Sequence, residues 1–282
     1  MRKVTFFVLL TFTLCFTKNV VFAQKGKLFI IGGGKRPPSL VNTMVEEAKV
    51  KTNGYIVVLP MASAEPDTAA YYSSIQFINV GIEKERIIAY NFQKGLEVSQ
   101  TAIDSLANAA LIYISGGDQN RFMEIVKGNE IEDAIKKCYV NNGTIAGTSA
   151  GAAVMSKMMI TGDEKRYPDY ESTFRHIEAD NIILGEGLGL IAGAIIDQHF
   201  VKRSRYNRLF SAVIEHPEKL GIGIDESTAI VVNGKEAKVV GESQVILFKG
   251  KKSKKPLATK KLGAKGITIN ILLPGDKFKL KN

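Results

Sequence analysis

The sequence predicts an α/β protein, a mostly parallel sheet covered by helices on both faces, with a β-rich C-terminal portion. Three observations carry this. Short Val/Ile-rich runs alternate with helix-length segments through most of the chain. Those runs are apolar throughout, as strands buried on both faces must be. From Gly221 onward the pattern changes to short strands joined by turns such as Asn233-Gly234. At 282 residues, 45% hydrophobic and 23% charged, the chain can bury a large core. The same composition excludes disorder, collagen and a disulfide mini-scaffold.

Residues 1–23 are read apart from the fold. Met1-Arg2-Lys3 is a basic start, Val4 to Phe16 an apolar run, and Val21-Phe22-Ala23 places small residues at −3 and −1 before Gln24. That is the pattern of a cleaved secretory signal peptide, too short for a stable membrane anchor. Leu14 before Cys15 argues against a lipoprotein signal. Cleavage would leave Cys138 alone, so no intramolecular disulfide could form.

Residues 24–282 read as one domain. Lys27–Ile31 is a strand ending in Gly32-Gly33-Gly34, Ser39–Lys51 a helix and Tyr55–Pro60 a second strand. Asp67–Val80 is a helix, Arg86–Tyr90 a strand and Val98–Asn108 a helix. Ala110–Ser115 is a strand ending in Gly116-Gly117-Asp118. Gln119–Lys127 and Glu130–Asn141 are helices, and Thr144–Gly147 a strand that runs into Ser149. Ala150–Met158 is expected to be a helix. Leu190–Ile196 is a buried strand. Residues 221–282 form the β-rich portion, with strands at Thr228–Val232, Ala237–Val240, Gln244–Phe248 and Thr268–Leu273.

The formal charge of +10 invites a nucleic-acid partner until it is located. Residues 235–282 carry thirteen Lys against three acids, and residues 1–23 carry +3, which leaves residues 24–234 at −3. The basicity belongs to a lysine-rich C-terminal segment best read as a solvated face. No nucleic-acid partner is expected.

The sharpest chemical feature is Gly147-Thr148-Ser149-Ala150-Gly151, a Gly-x-Ser-x-Gly pattern between an apolar strand and a helix. Small residues there permit a strained turn that lifts a serine hydroxyl above the sheet. The Ala150 N–H at the helix start can face developing negative charge. Three histidines could supply a base. His199 ends a buried strand, where open α/β sheets place their sites, whereas His176 and His216 lie in polar or terminal stretches. Arg203, Arg205 and Arg208 follow His199. On a helix Arg205 and Arg208 share a face, and guanidinium forks there suit carboxylate recognition. Gly32-Gly33-Gly34 is no dinucleotide loop, since Pro37 stands where a third glycine is needed. Neither cofactor nor metal is expected.

Gly116-Gly117-Asp118-Gln119, Gly147 to Ala152, Asp197-Gln198-His199-Phe200 with Arg203, Arg205, Arg208 and Leu209, and Gly221 to Glu226 together resemble the cyanophycinases. These belong to the serine-peptidase family that also holds aspartyl dipeptidase (peptidase E). The resemblance implies a class I glutamine-amidotransferase-like fold, a homodimer, and hydrolysis of cyanophycin, a poly-aspartate with arginine on each side-chain carboxyl. It implies Ser149 as nucleophile and His199 as base. Gln119, Asp197, Gln198, Arg203, Arg205 and Arg208 would form the substrate pocket, and the N–H groups of Gly117 and Ala150 an oxyanion hole. For the triad acid, Glu164 is the closest match, with Asp163 and Glu226 the alternatives. An aspartyl or isoaspartyl dipeptidase and an inactive binding scaffold are the other readings. The signal-peptide pattern of residues 1–23 places the protein outside the cytoplasm, in a periplasm or beyond the cell.

Overall fold

Alternation within the first strand sets the layering. In β1 (Lys27–Ile31), Leu28 and Ile30 join one apolar core, while Phe29 and Ile31 join the other. The same division holds in β2 (Ile56–Leu59), where Val57 and Leu59 oppose Ile56 and Val58. All eight of these side chains are fully buried, which is why the strands read as unbroken apolar runs. The computed structural model describes residues 26–52, 54–169, 171–251 and 260–280. The segment 1–23 lies outside the described residues.

Helix α1 (Pro38–Glu47) and α2 (Pro66–Ile78) each begin on a proline, whose fixed φ suits the first helical turn. They cover one face through Leu40, Val41, Met44, Val45 and Phe77. Strand β3 (Ile87–Ala89) follows. The other face is covered by α3 (Gln100–Ala107), then, beyond β4 (Leu111–Ile114), by α4 (Gln119–Val126) and α5 (Glu130–Val140). Ser99, Asp118 and Asn129 cap these three helices, each accepting from backbone N–H groups of the first turn. Cys138 of α5 is a buried free thiol.

Strand β5 (Thr144–Thr148) sits between β1 and β4, and all three are parallel. The eight-stranded sheet is nevertheless mixed. It contains five parallel strands, and its β1 edge is extended by antiparallel β10 (Thr228–Asn233), β11 (Glu236–Gly241) and β14 (Lys277–Lys279). β10 pairs along the whole of β1, from Lys27↔Asn233 to Ile31↔Ala229. Strands β10, β11 and β14 of the C-terminal portion are therefore built into the core sheet. Lys235, Lys238, Lys249, Lys277 and Lys279 point to solvent.

A second sheet holds β8 (Ala194–Gln198), β9 (Leu220–Ile224), β12 (Val245–Lys249) and β13 (Thr268–Leu272). Its outer face packs on α7 (Tyr206–Glu215) through Leu209, Ala212 and Val213.

Two expectations are corrected. Ala150–Met158 is not one helix: α6 (Ala150–Ala153) is a single turn. Tertiary backbone bonds then capture the chain, with Leu188 donating to Val154, Ile191 to Met155 and Lys157 to Ile191. Strand β6 (Met158–Glu164) follows and pairs with β7 (Ile182–Glu186). The arginines also do not share one helix. Only Arg208 lies on α7; Arg203 and Arg205 sit in the turns before it, which the Lys202 N–H bond to Asp225 Oδ1 and the positive φ of Ser204 hold apart from the helix.

Candidate active site

The carboxyl ends of β1, β4 and β5 converge with those of β8 and β9, and the candidate residues stand where they meet. Open α/β sheets place their ligands at such ends. Ser149 leaves β5 at φ 54° and ψ −113°, a left-handed conformation that strains a residue with a side chain. Its N–H donates to Ile31 O at 3.1 Å, while its own carbonyl accepts from Ala152 and Ala153. The flanking glycines are steric necessities. A Cβ on Gly147 would lie 2.2 Å from Gly151 O, and one on Gly151 would lie 2.4 Å from Ile114 O.

His199, also left-handed at φ 49°, lies one residue past β8. Its N–H donates to Gly32 O at 2.6 Å, tying it to the end of β1. Its Nε2 is 2.9 Å from Ser149 Oγ and its Nδ1 is 2.6 Å from Glu226 Oε1. An ionised carboxylate only accepts, so Nδ1 carries the proton and Nε2 accepts from the serine hydroxyl. Burial holds His199 below the usual imidazole pKa. The Glu226 hydrogen bond opposes that shift, and Arg203 and Arg205 reinforce it. The ring is therefore neutral near pH 7 and able to act as a base.

Glu226, not Glu164, is the acid on His199. β8 and β9 are parallel with Gln198 opposite Ile224, so the residues just past both strands come together. Glu164 instead accepts from Asn181 Nδ2 at 2.6 Å and lines a separate cavity with His176. Asp163 is likewise not on His199; it lines the cavity beside Ser149. The Gly32-Gly33-Gly34 turn, silent in the sequence apart from ending a strand, makes this geometry possible. A Cβ on Gly33 would lie within 3 Å of the His199 ring, and one on Gly34 would lie 2.6 Å from Glu226 Cβ.

On one side of Ser149 lies a polar cavity of about 290 Å³. Gly117, Gln119, Gln198, Arg203, Arg205 and Arg208 line it, together with Asp118, Asn120, Thr161, Gly162 and Asp163. Sequence reasoning missed the contribution of residues 161–163, because they lie on the hairpin hidden behind the expected helix. Gln119 Nε2 donates to the carbonyls of Ile160 and Thr161, which fixes the hairpin to α4. Arg205 Nη1 donates to Gln198 Oε1 at 2.6 Å and to its carbonyl at 3.0 Å. Arg203 has no ion-pair partner among the described residues.

Asp197 is placed differently from expectation. It is 1% exposed and holds Arg208 through a bidentate pair, Arg208 Nε to Oδ2 at 2.7 Å and Nη2 to Oδ1. Its Oδ1 also accepts from the Gln198 N–H at 2.7 Å. It does not line the cavity, so it positions Arg208 and Gln198 from behind. No group of His, Cys, Asp and Glu among the described residues is arranged to hold a metal ion.

Residues 28–240 match Peptidase family S51. The chain belongs to that family. Among S51 relatives, a cyanophycinase of Trichormus variabilis is 33% identical over 269 residues, spanning 92% of this chain and 87% of its own. A cyanophycinase of Geminocystis herdmanii is 32% identical over 82% of this chain and 84% of its own. A peptidase E of Actinobacillus pleuropneumoniae is 30% identical over 52% of this chain and 61% of its own. The crystal structure of a peptidase from an acI-B1 Actinobacterium superposes with a TM-score of 0.66 over 92% of this chain and 98% of that one, at 22% identity. That likeness speaks to the fold. Membership of S51 makes the protein a serine-type peptidase.

Three outcomes follow from the geometry. Glu226→Gln should lower kcat by about a hundredfold or more, because the imidazole loses the carboxylate that fixes its tautomer; Glu164→Gln should stay within a few-fold of wild type. Equal losses in both would contradict the assignment. The acid limb of the kcat/KM–pH profile should fall below pH 6.5, because only neutral His199 accepts a proton and burial lowers its pKa. Arg203→Gln should move that limb to higher pH, since removing a neighbouring cation eases protonation.

Proposed function

We propose that this S51 peptidase hydrolyses the aspartyl backbone of cyanophycin and releases β-Asp-Arg dipeptides. The observation that carries the reading is the cavity beside Ser149, whose lining combines three arginines with Asp118 and Asp163. Each cyanophycin residue presents both matching groups, a free arginine α-carboxylate for the guanidinium forks and a guanidinium for the acids. The relatives named cyanophycinase support the same substrate.

In the proposed reaction Ser149 Oγ attacks an aspartyl main-chain carbonyl carbon while its proton passes to His199 Nε2. The new C–O bond leaves negative charge on the carbonyl oxygen, facing the N–H groups of Gly117 and Ala150. His199 then gives its proton to the main-chain nitrogen, the C–N bond breaks, and an acyl-enzyme remains on Ser149. Water attacks that ester and yields its proton to His199. The acyl C–O bond breaks and the proton returns to Ser149 Oγ. Glu226 keeps Nδ1 protonated throughout and stabilises the transient imidazolium.

Secretion belongs to the proposal and rests on the basic and apolar pattern of residues 1–23. No helix among the described residues is long and apolar enough to cross a membrane. Assembly as a homodimer rests on the resemblance alone.

Insoluble cyanophycin given to protein beginning at Gln24 should clear, with β-Asp-Arg accumulating. Ser149→Ala should abolish that release, and undiminished release by the variant would overturn the acyl-enzyme reading. Cleavage of aspartyl dipeptides without attack on the polymer would move the protein to the aspartyl dipeptidases.

A further inference from the structure

The arginine-lined cavity occupies only one side of Ser149. A second cavity of about 240 Å³ opens on the other side, and it differs in one decisive respect: His199 lines it, whereas His199 does not line the first. The base that takes the serine proton must deliver it to the leaving nitrogen, so the leaving group lies on the His199 side. The first cavity, with Gly117 and the arginines, then holds the acyl side.

The walls of the second cavity include Arg36, Tyr72, Ser73, Tyr113, Ser115 and Thr148. Arg36 follows the Gly32-Gly33-Gly34 turn and is half-buried. Its Nε donates to Gln76 Oε1 at 2.6 Å and its Nη1 to Gly34 O at 3.2 Å. Both acceptors are neutral, and no carboxylate among the described residues pairs with it. A half-buried guanidinium with only neutral partners is suited to take a carboxylate from a ligand.

Two buried polar atoms of residues lining this cavity, Tyr113 Oη and Thr148 Oγ1, also lack partners among the described residues, as does Nε2 of Gln76, the residue that accepts from Arg36. Tyr113 is fully buried and Thr148 is 4% exposed. Buried hydroxyls are almost always hydrogen-bonded, so unpartnered ones beside a cavity point to a polar ligand. Tyr72, exposed at the rim, offers an aromatic face to a cation.

We infer that this cavity is the leaving-group subsite, and that Arg36 anchors a carboxylate of the residue released after bond cleavage. The inference rests on the cyanophycin reading for its substrate. There the carboxylate has two sources, the arginine α-carboxyl on the leaving residue's side chain and the main-chain carboxyl at a chain end. Tyr72 would then face the leaving residue's guanidinium.

The test compares short β-Asp-Arg oligomers in which the leaving residue carries both carboxylates free, only its arginine carboxyl amidated, or only its main-chain carboxyl amidated. Wild-type enzyme should lose roughly ten- to a hundredfold in kcat/KM when the recognised carboxylate is amidated, the range of a charge-assisted hydrogen bond. Whichever amide causes the loss identifies the source. Arg36→Gln should bring the free-carboxylate oligomer down to the level of that amide, chiefly through KM, and Arg36→Lys should recover part of the difference. The wild-type comparison needs no variant to fold. Equal rates on all three oligomers would overturn the subsite, as would an Arg36→Gln loss of the same size on every oligomer. Labelling of Ser149 by a fluorophosphonate separates the two failures. A labelled enzyme that cleaves all oligomers alike loses only the subsite, whereas a labelled enzyme that cleaves none of them loses the cyanophycin reading and the subsite with it.

Discussion

The hydrogen-bonded chain from Glu226 through His199 to Ser149 joins residues delivered by strands of two different sheets. Two of its members hold left-handed backbone conformations, which cost on the order of 1–3 kcal/mol each. The surrounding backbone determines both. Ser149 is pinned by Ile31 on one side and by the turn of α6 on the other. His199 is pinned by Gly32 and, through its own carbonyl, by the Arg203 N–H. Remove the glycines and the strain has nowhere to go. Gly147 and Gly151 let the serine turn close against β4, while Gly33 and Gly34 let the end of β1 approach the imidazole and the Glu226 side chain.

Electrostatics around the chain follow from burial. The Asp197–Arg208 pair is enclosed, with the Asp197 side chain fully buried and that of Arg208 2% exposed. Such a pair is weak evidence for stability but strong evidence for orientation, because breaking it strands an uncompensated charge. It fixes Arg208 at the cavity wall and places the Gln198 N–H, while Gln198 in turn holds Arg205. Asp225, just past β9, does similar work, accepting from the Lys202 N–H and the Ser243 hydroxyl and so bracing the turn that follows His199. Arg205 and Arg208 thus arrive positioned, and the positive charges of Arg203 and Arg205 help burial keep His199 neutral.

Much of this was legible in the sequence. The parallel strands are visible because burial on both faces leaves unbroken apolar runs, and Ser149 is visible because the nucleophile turn demands small residues at fixed offsets. His199 stands out as the histidine at a strand end. The acid is harder to read. Glu226 reaches His199 because β8 and β9 lie parallel in register, a relation between segments about 27 positions apart that no local pattern encodes. The β6–β7 hairpin is hidden for another reason. Ala150-Gly151-Ala152-Ala153 has good helical composition, and long-range bonds to residues 188 and 191 stop the helix after one turn. Asp197 misleads because an acid beside a candidate base suggests contact with a ligand, whereas its partner, Arg208, lies eleven residues further along the same chain.

The proton on His199 Nδ1 is the most direct witness to the arrangement. With three histidines in the chain, the imidazole signals are assignable by ¹H–¹⁵N NMR on uniformly labelled protein. At pH 7, His199 is expected as the neutral Nδ1–H tautomer, with that proton far downfield because Glu226 accepts it at 2.6 Å. An Nε2–H tautomer, or an imidazolium at that pH, would contradict the relay from Glu226 to Ser149.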